Sequence, residues 1–380
     1  MKNLLLIAAL MVSANLFAQK KDETPKTYDL LIGTYTTGES KGIYVYRFYT
    51  ETGRTAYLNK VEGVDNPSYI CVAKNNRFVY SVNEIGADRK GSASAYSFEP
   101  KIGKIELINQ QPSTGTGPCY ISVDKAQKHV FLANYQSGAL TVLGVNKDGS
   151  LAPAVQTIQD SGHGVNKTRQ EGPHVHTAVL SPDEKYLLYT DLGTDKLNIY
   201  RYKPGQEKPL SPADPSSLDV VPGHGPRHIA FSPDKKYLYL VTEMGGVIYV
   251  YDYDGPKTKQ LEAISMLADG YKGAVGAADI HVSPDGKFLY ATNRGDANEV
   301  VVFAINPDNG RLTFVERKSS MGKGPRNFVI DPSGNFLLVA NQMSNDIYVY
   351  RINKQTGKLT LTTSKINIGN PSCLKFTPAE

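Results

Sequence analysis

"SPDEKYLLYTD", residues 181–191, joins a Ser-Pro-Asp turn to a run of leucines and tyrosines, and the chain repeats it. Related stretches are "AKNNRFVYSVNE" (73–84), "DKAQKHVFLANY" (124–135), "SPDKKYLYLVTE" (232–243), "SPDGKFLYATNR" (283–294) and "DPSGNFLLVANQ" (331–342), with a truncated "FTPAE" (376–380) at the end. Marked at the turn proline or its equivalent, the copies fall at Lys74, Lys125, Pro182, Pro233, Pro284, Pro332 and Pro378, spaced 46–57 residues apart. A short apolar run precedes each mark. The proline presets φ, and Ser and Asp supply the side-chain hydrogen bonds of a tight turn. Next come a strand rich in Leu, Tyr and Val and a third such as "GIYVYRF" (42–48) or "DIYVYRI" (346–352). A glycine turn such as "TETGR" or "NKQTGK" then leads to a weaker fourth strand. Four strands in about 50 residues, repeated, make the blade of a β-propeller.

Seven first strands and seven second strands predict an all-β, seven-bladed β-propeller with four-stranded blades. The earliest second strand, "DLLIGTY" (29–35), has no first strand before it, and the last first strand, "PSCLKF" (371–376), has no blade after it. The C-terminal strand is therefore expected to complete the N-terminal blade as its innermost member, closing the ring and removing a sheet edge. With no tryptophan among 380 residues and 24 tyrosines, the repeat is not the WD type, and Tyr fills the large aromatic positions.

The first 21 residues read differently. "MKNLLLIAALMVSANLFAQKK" orders a lysine, an apolar run from Leu4 to Val12, and small residues ending near Ala18. That is the pattern of a secretory leader, and the run is too short to span a bilayer. Residues 1–18 are expected to be a signal peptide and 19–380 one propeller domain, exported to the periplasm or secreted. A net charge of +5, dispersed along the chain, gives no case for nucleic acid as a partner. Cys71, Cys119 and Cys373 are too scattered for a disulfide framework and read as small buried strand residues.

In a propeller the innermost strands begin, and the second strands end, on one face around the central channel. Six positions before each mark stand Ser68, Cys119, His176, Arg227, Ala278, Arg326 and Ser372. The next position holds Tyr69, Tyr120, Thr177, His228, Asp279, Asn327 and Cys373. The second strands end in Tyr35, Asn83-Glu84, Asn134-Tyr135, Asp191, Glu243, Arg294 and Gln342. Four before the mark the list turns apolar, Ile70 to Leu374, so the polar set is expected at one mouth only. Arg227, Arg294 and Arg326 together call for acids or an anionic ligand, with Glu243 and Asp279 as compensation. A buried salt-bridge network is the competing reading. His176 and His228 are candidate proton carriers. His281, three before its mark, is as readily a hydrogen-bonded core histidine.

His174 and His176 lack the spacing of a compact zinc motif, so no metal is expected. No G-x-S-x-G elbow, P-loop or dinucleotide fingerprint occurs, and no cofactor is implied. The long segment "DSGHGVNKTRQEG" (160–172) is expected to overhang the mouth, either as a gate or as a passive insertion.

"GIYVYRFYTETG", "NPSYICVAKNNRFVYSVNE", "RQEGPHVHTAVLSPDEKYLLYTDLGTDKL", "GPRHIAFSPDKKYLYLVTE" and "ADIHVSPDGKFLYATNRGD" resemble the lactonase-type seven-bladed propellers. That family includes the propeller form of 6-phosphogluconolactonase and the fungal carboxymuconate lactonising enzyme. The resemblance covers nearly the whole chain after the leader. It implies metal-independent hydrolysis of a small sugar lactone, or lactone closure in the fungal branch. The family's active-site His, Arg, Glu and Arg fall on His176 (or His174), Arg227, Glu243 and Arg294. His174, His228, Asp279, His281, Arg326 and Asn327 are then candidates for substrate binding. Glu243 or His176 would be the general base, and Arg227 or Arg294 would stabilise the oxyanion. An exported chain would meet an unphosphorylated aldonolactone rather than a cytosolic sugar phosphate. A non-catalytic propeller that binds an anion or a protein partner remains an alternative. Neither a membrane partner nor an oligomeric state is indicated.

Overall fold

The computed structural model describes residues 26–85 and 91–379, and the expected leader lies outside them. Seven four-stranded antiparallel sheets follow one another along the chain. The innermost strands of blades 2 to 7 are Ile70–Val72, Pro118–Val123, Val175–Leu180, Pro226–Phe231, Ala277–Val282 and Pro325–Ile330. Blade 1 is closed as the sequence predicts. Its innermost strand, Pro371–Pro378, pairs with Thr27–Thr34, with Leu31 opposite Lys375 and Ile32 opposite Leu374.

The turn after each innermost strand forms as its residues dictate. Ser181 Oγ donates to Asp183 (2.7 Å) and accepts from the Tyr186 amide (3.1 Å). Ser232 and Ser283 repeat this with Asp234 and Asp285. Where Asp replaces Ser, its carboxylate does the same work: Asp124 accepts from the His129 amide and Asp331 from the Phe336 amide. The copies at 124–135 and 331–342 are therefore physically equivalent to the Ser-Pro-Asp ones.

Apolar side chains fill the gaps between neighbouring blades. Between blades 4 and 5, Leu188, Leu197 and Ile199 pack with Ile229, Leu238, Leu240, Tyr249 and Tyr251. The glycine turns predicted between third and fourth strands have a second use there. Gly310, at φ +70°, lies against the Tyr237 ring of the preceding blade, where a Cβ would come within 2.5 Å of ring carbons. Gly53 meets Phe336 in the same way across the closing seam. Cys119 and Cys373 are buried and Cys71 half-buried, all three as free thiols.

One expectation needs correcting. Ile70, Ile280 and Leu374 face the clefts between blades, not the channel. The cause is a β-bulge at the head of the innermost strands. Register shifts between Pro118 and Tyr120, Val175 and Thr177, Pro226 and His228, and Pro325 and Asn327 leave Cys119, His176, Arg227 and Arg326 unpaired. A bulge re-aims its extra side chain. It also turns the following residue, as at Tyr120, His228 and Asn327, toward the axis, so the apolar list reports on blade packing.

Candidate functional site

Contacts between blades that are not neighbours mark what lies across the axis. Tyr69 of blade 2 and Tyr120 of blade 3 stack at 4.2 Å, and both meet the edge of His228 of blade 5, at 6.0 and 5.5 Å. Asp279 of blade 6 and Asn327 of blade 7 complete this layer. The channel is therefore filled one residue below the mouth, and the mouth is a cup with an aromatic and polar floor.

Glu243 is the centre of the cup. It is 8 % exposed and accepts from Arg227 Nε (2.9 Å), from an Arg294 terminal nitrogen (2.9 Å) and from Arg169 (2.6 Å). Burial opposes its ionisation, but Arg294, Arg227 and Arg169 overcome that and hold the carboxyl well below the usual range. Arg227, 1 % exposed, also donates to the Ala278 carbonyl. Burial, reinforced by Arg294, pulls its guanidinium down to about 10. Arg294 is held by the Gly276 carbonyl at 3.0 Å, and its side chain stays 21 % exposed. On the other side of the mouth, Arg326 donates to the Tyr35 hydroxyl (2.9 Å), which donates to Glu84 (2.6 Å). Positive charge exceeds negative in the cup, as an anionic ligand or a developing oxyanion requires.

His176 is 4 % exposed and its Nδ1 is buried without a hydrogen-bond partner. Burial first, then Arg227 and His228, push its imidazole well below the usual histidine range, so it stays neutral. Burial and Arg227 likewise lower His228 to about 4, against the pull of Asp279. Both imidazoles therefore rest neutral, each with one ring nitrogen bearing a lone pair. His174 is placed apart. It stacks on Tyr135 at 4.5 Å, hydrogen-bonds the Tyr135 carbonyl through Nδ1 (3.0 Å) and pairs Nε2 with Glu171 (3.3 Å). Among the described residues no three His, Cys, Asp or Glu side chains gather as metal ligands.

The remaining candidates divide. Asp279 does not balance the arginines by direct contact. Its Oδ1 accepts from His228 (2.8 Å) and the Ile280 amide (3.0 Å). Its Oδ2 accepts from His281 (3.1 Å), Asn327 and the Phe328 amide (3.2 Å). Asn327 spends its other end on the Leu374 amide (2.7 Å). Asp279 and Asn327 thus hold the floor together, and His281 lies on the far side of it. Asp191 is absorbed in capping the His174, Gly193 and Thr194 amides, which leaves Leu192 in phase with Glu243.

Arg169 had no assigned role in the sequence. It sits in the segment 160–172, whose insertion lengthens one repeat to 57 residues, and that excess spacing is its one signal. The segment is pinned by the buried Gln170, which donates to the Leu192 carbonyl at 2.9 Å. It overhangs the mouth and delivers Arg169 to Glu243 and to the Tyr135 hydroxyl (3.3 Å).

Comparisons with known proteins agree with the seven-bladed fold. The family model described as Lactonase, 7-bladed beta-propeller matches residues 29–376. A protein of Bacillus subtilis named 6-phosphogluconolactonase is 36% identical over 91% of this chain and 97% of its own length. One of the same name from Formosa agariphila is 34% identical, covering 83% of this chain and 90% of its own. Among solved structures, the periplasmic gluconolactonase of Pseudomonas aeruginosa superposes with a TM-score of 0.89 at 41% identity, over 93% of this chain and 100% of that one.

Proposed function

Because the chain belongs to the family of seven-bladed β-propeller lactonases, we propose that it opens a sugar lactone by adding water at the channel mouth. A lactone is an internal carboxylic ester, so the reaction needs a base for the water and positive charge for the oxyanion. The observation that carries the reading is the Glu243-centred arginine cluster beside a buried, neutral His176. Glu243, held ionised by three guanidinium groups, has its lone pairs engaged and is a poor acceptor for a water proton. His176 is therefore assigned as general base. As the O–H bond of water breaks, the proton goes to His176 and the oxygen bonds the carbonyl carbon. The carbonyl electron pair moves to an oxyanion facing Arg294 and Arg169. Collapse of the tetrahedral intermediate returns the proton from His176 to the ring oxygen, giving the open hydroxy acid. Arg227, almost without exposure, acts by holding Glu243 and the Ala278 carbonyl, and Arg326 is left for a carboxylate, hydroxyl or phosphate of the substrate.

An unphosphorylated aldonolactone is the proposed substrate and an exported location the proposed setting. The leader-like N-terminus supports both, as does the likeness to a periplasmic gluconolactonase. Acid release from glucono-δ-lactone and from its 6-phosphate, measured on the purified protein in a pH-stat, tests this. The kcat/KM for the unphosphorylated lactone is expected to be the higher, and a clear preference for the phosphate would reverse the assignment.

A further inference from the structure

Two buried nitrogens in the cup have no partner, and they belong to adjacent rings. His176 Nδ1 and His228 Nε2 are both orphaned, and the two ring centroids lie 5.2 Å apart. Two imidazoles joined by one N–H···N bond of about 3 Å have centroids about 5 Å apart. The rings are thus close enough for such a bond, although their nitrogens are not yet joined. Buried polar atoms are rarely left unsatisfied, so a small rotation of the two rings that joins these nitrogens is favoured already in the substrate-free protein.

What lies behind His228 fixes its hydrogen. Asp279 is a carboxylate with five donors around it, two of them backbone amides and one Asn327, so it can only accept. His228 must therefore carry its proton on Nδ1, facing Asp279, and present a bare Nε2. The charged and titratable groups around this ring are Asp279, Arg227, His176, Tyr69 and Tyr120, with His281 beyond Asp279.

We propose that Asp279 and His228 are positioning residues for the lactonase reaction, forming a row Asp279–His228–His176 that keeps the hydrogen of His176 on Nδ1 and its Nε2 lone pair toward the lactone. The inference rests on the functional reading above, with His176 as base. When His176 takes the water proton on Nε2, its Nδ1–H bond to His228 strengthens, and the new positive charge is shared along a row that ends in a fixed carboxylate. In this arrangement His228 never leaves the floor and never touches substrate. A second imidazole is needed because the carboxylate sits one blade too far from His176 to reach it. Bulges in blades 4 and 5 bring the two rings together.

Nitrogen-15 NMR of the histidine rings in the substrate-free protein tests the row without any turnover. The expected spectrum has the Nδ1–H form at both His176 and His228. The Nε2–H form at His176 would overturn the proposal. Kinetics supply the second test. Asp279→Asn is expected to lower kcat by about 10²-fold with KM within about twofold. His228→Gln, whose amide oxygen replaces the Nε2 acceptor, is expected to keep more kcat than His228→Leu. An unchanged kcat in Asp279→Asn, or equal losses in the two His228 variants, would also overturn it. Should these floor variants fail to fold, the wild-type spectrum decides. Should the wild type open no lactone, the functional reading fails while the ring tautomers are still read from the spectrum.

Discussion

Replacing Glu243 by glutamine leaves three guanidinium groups in the cup without their shared carboxylate. In the wild type that carboxylate accepts three charge-assisted hydrogen bonds at 2.6–2.9 Å while 8 % exposed. Removing one partner of a buried ion pair typically costs about 3–5 kcal/mol, mostly from the uncompensated charge left behind. For a chain of this length each kcal/mol moves the melting temperature by about 1.3 °C, so Glu243→Gln should melt about 4–7 °C lower. The pH dependence has a definite sign. The folded-state pKa is depressed, so the stabilisation is fully present above the ordinary glutamate value and is lost as pH falls below it. The gap between wild type and variant should stay constant from pH 8 to about 5 and narrow only in more acidic solution. Millimolar sulfate should recover part of the loss in the variant and do little for the wild type, because an anion that binds only the folded state stabilises it. Thermal melts across pH with and without sulfate provide the assay. Equal melting temperatures, or a gap that widens on acidification, would refute the electrostatic account of the cup.

Two other perturbations separate the chemistry of the cup from packing. Arg169 is 46% exposed in its side chain, so Arg169→Ala should cost less than about 1 kcal/mol of stability. Loss of one charged hydrogen bond to the oxyanion should lower kcat at least about tenfold with little change in KM, and an unchanged kcat would make the overhanging segment a passive cover. Gly310→Ala must hold an αL backbone and push a Cβ into the Tyr237 ring. It should cost about 2–4 kcal/mol with kcat unaltered, as read by melting and turnover on one preparation.

The repeat made most of the fold legible. The phase of "SPDEKYLLYTD" located every turn, and the unmatched strands at the two ends predicted the closure of blade 1. The same phase picked out His176, Arg227 and Arg326 because each copy places its bulge at the same point. Periodicity could not reveal the bulge itself, which breaks the two-residue alternation. Ile280 and Leu374 were for that reason read as channel residues, and Asp279 as a partner of the arginines. Hydrogen-bond direction was equally hidden, so the saturation of Asp279 and the empty Nε2 of His228 emerge only from the folded chain. Arg169 lay outside the periodic signal altogether, in an insertion that no other repeat carries.

Turnover by wild type and His176→Ala, side by side in a pH-stat on glucono-δ-lactone, bears most directly on the proposed chemistry. Wild type should release acid well above the spontaneous rate. The variant should lose about 10²–10⁴-fold in kcat, with KM within about threefold, since the arginines that hold the substrate are intact. Equal rates in the two proteins, or a wild type no faster than buffer, would contradict it.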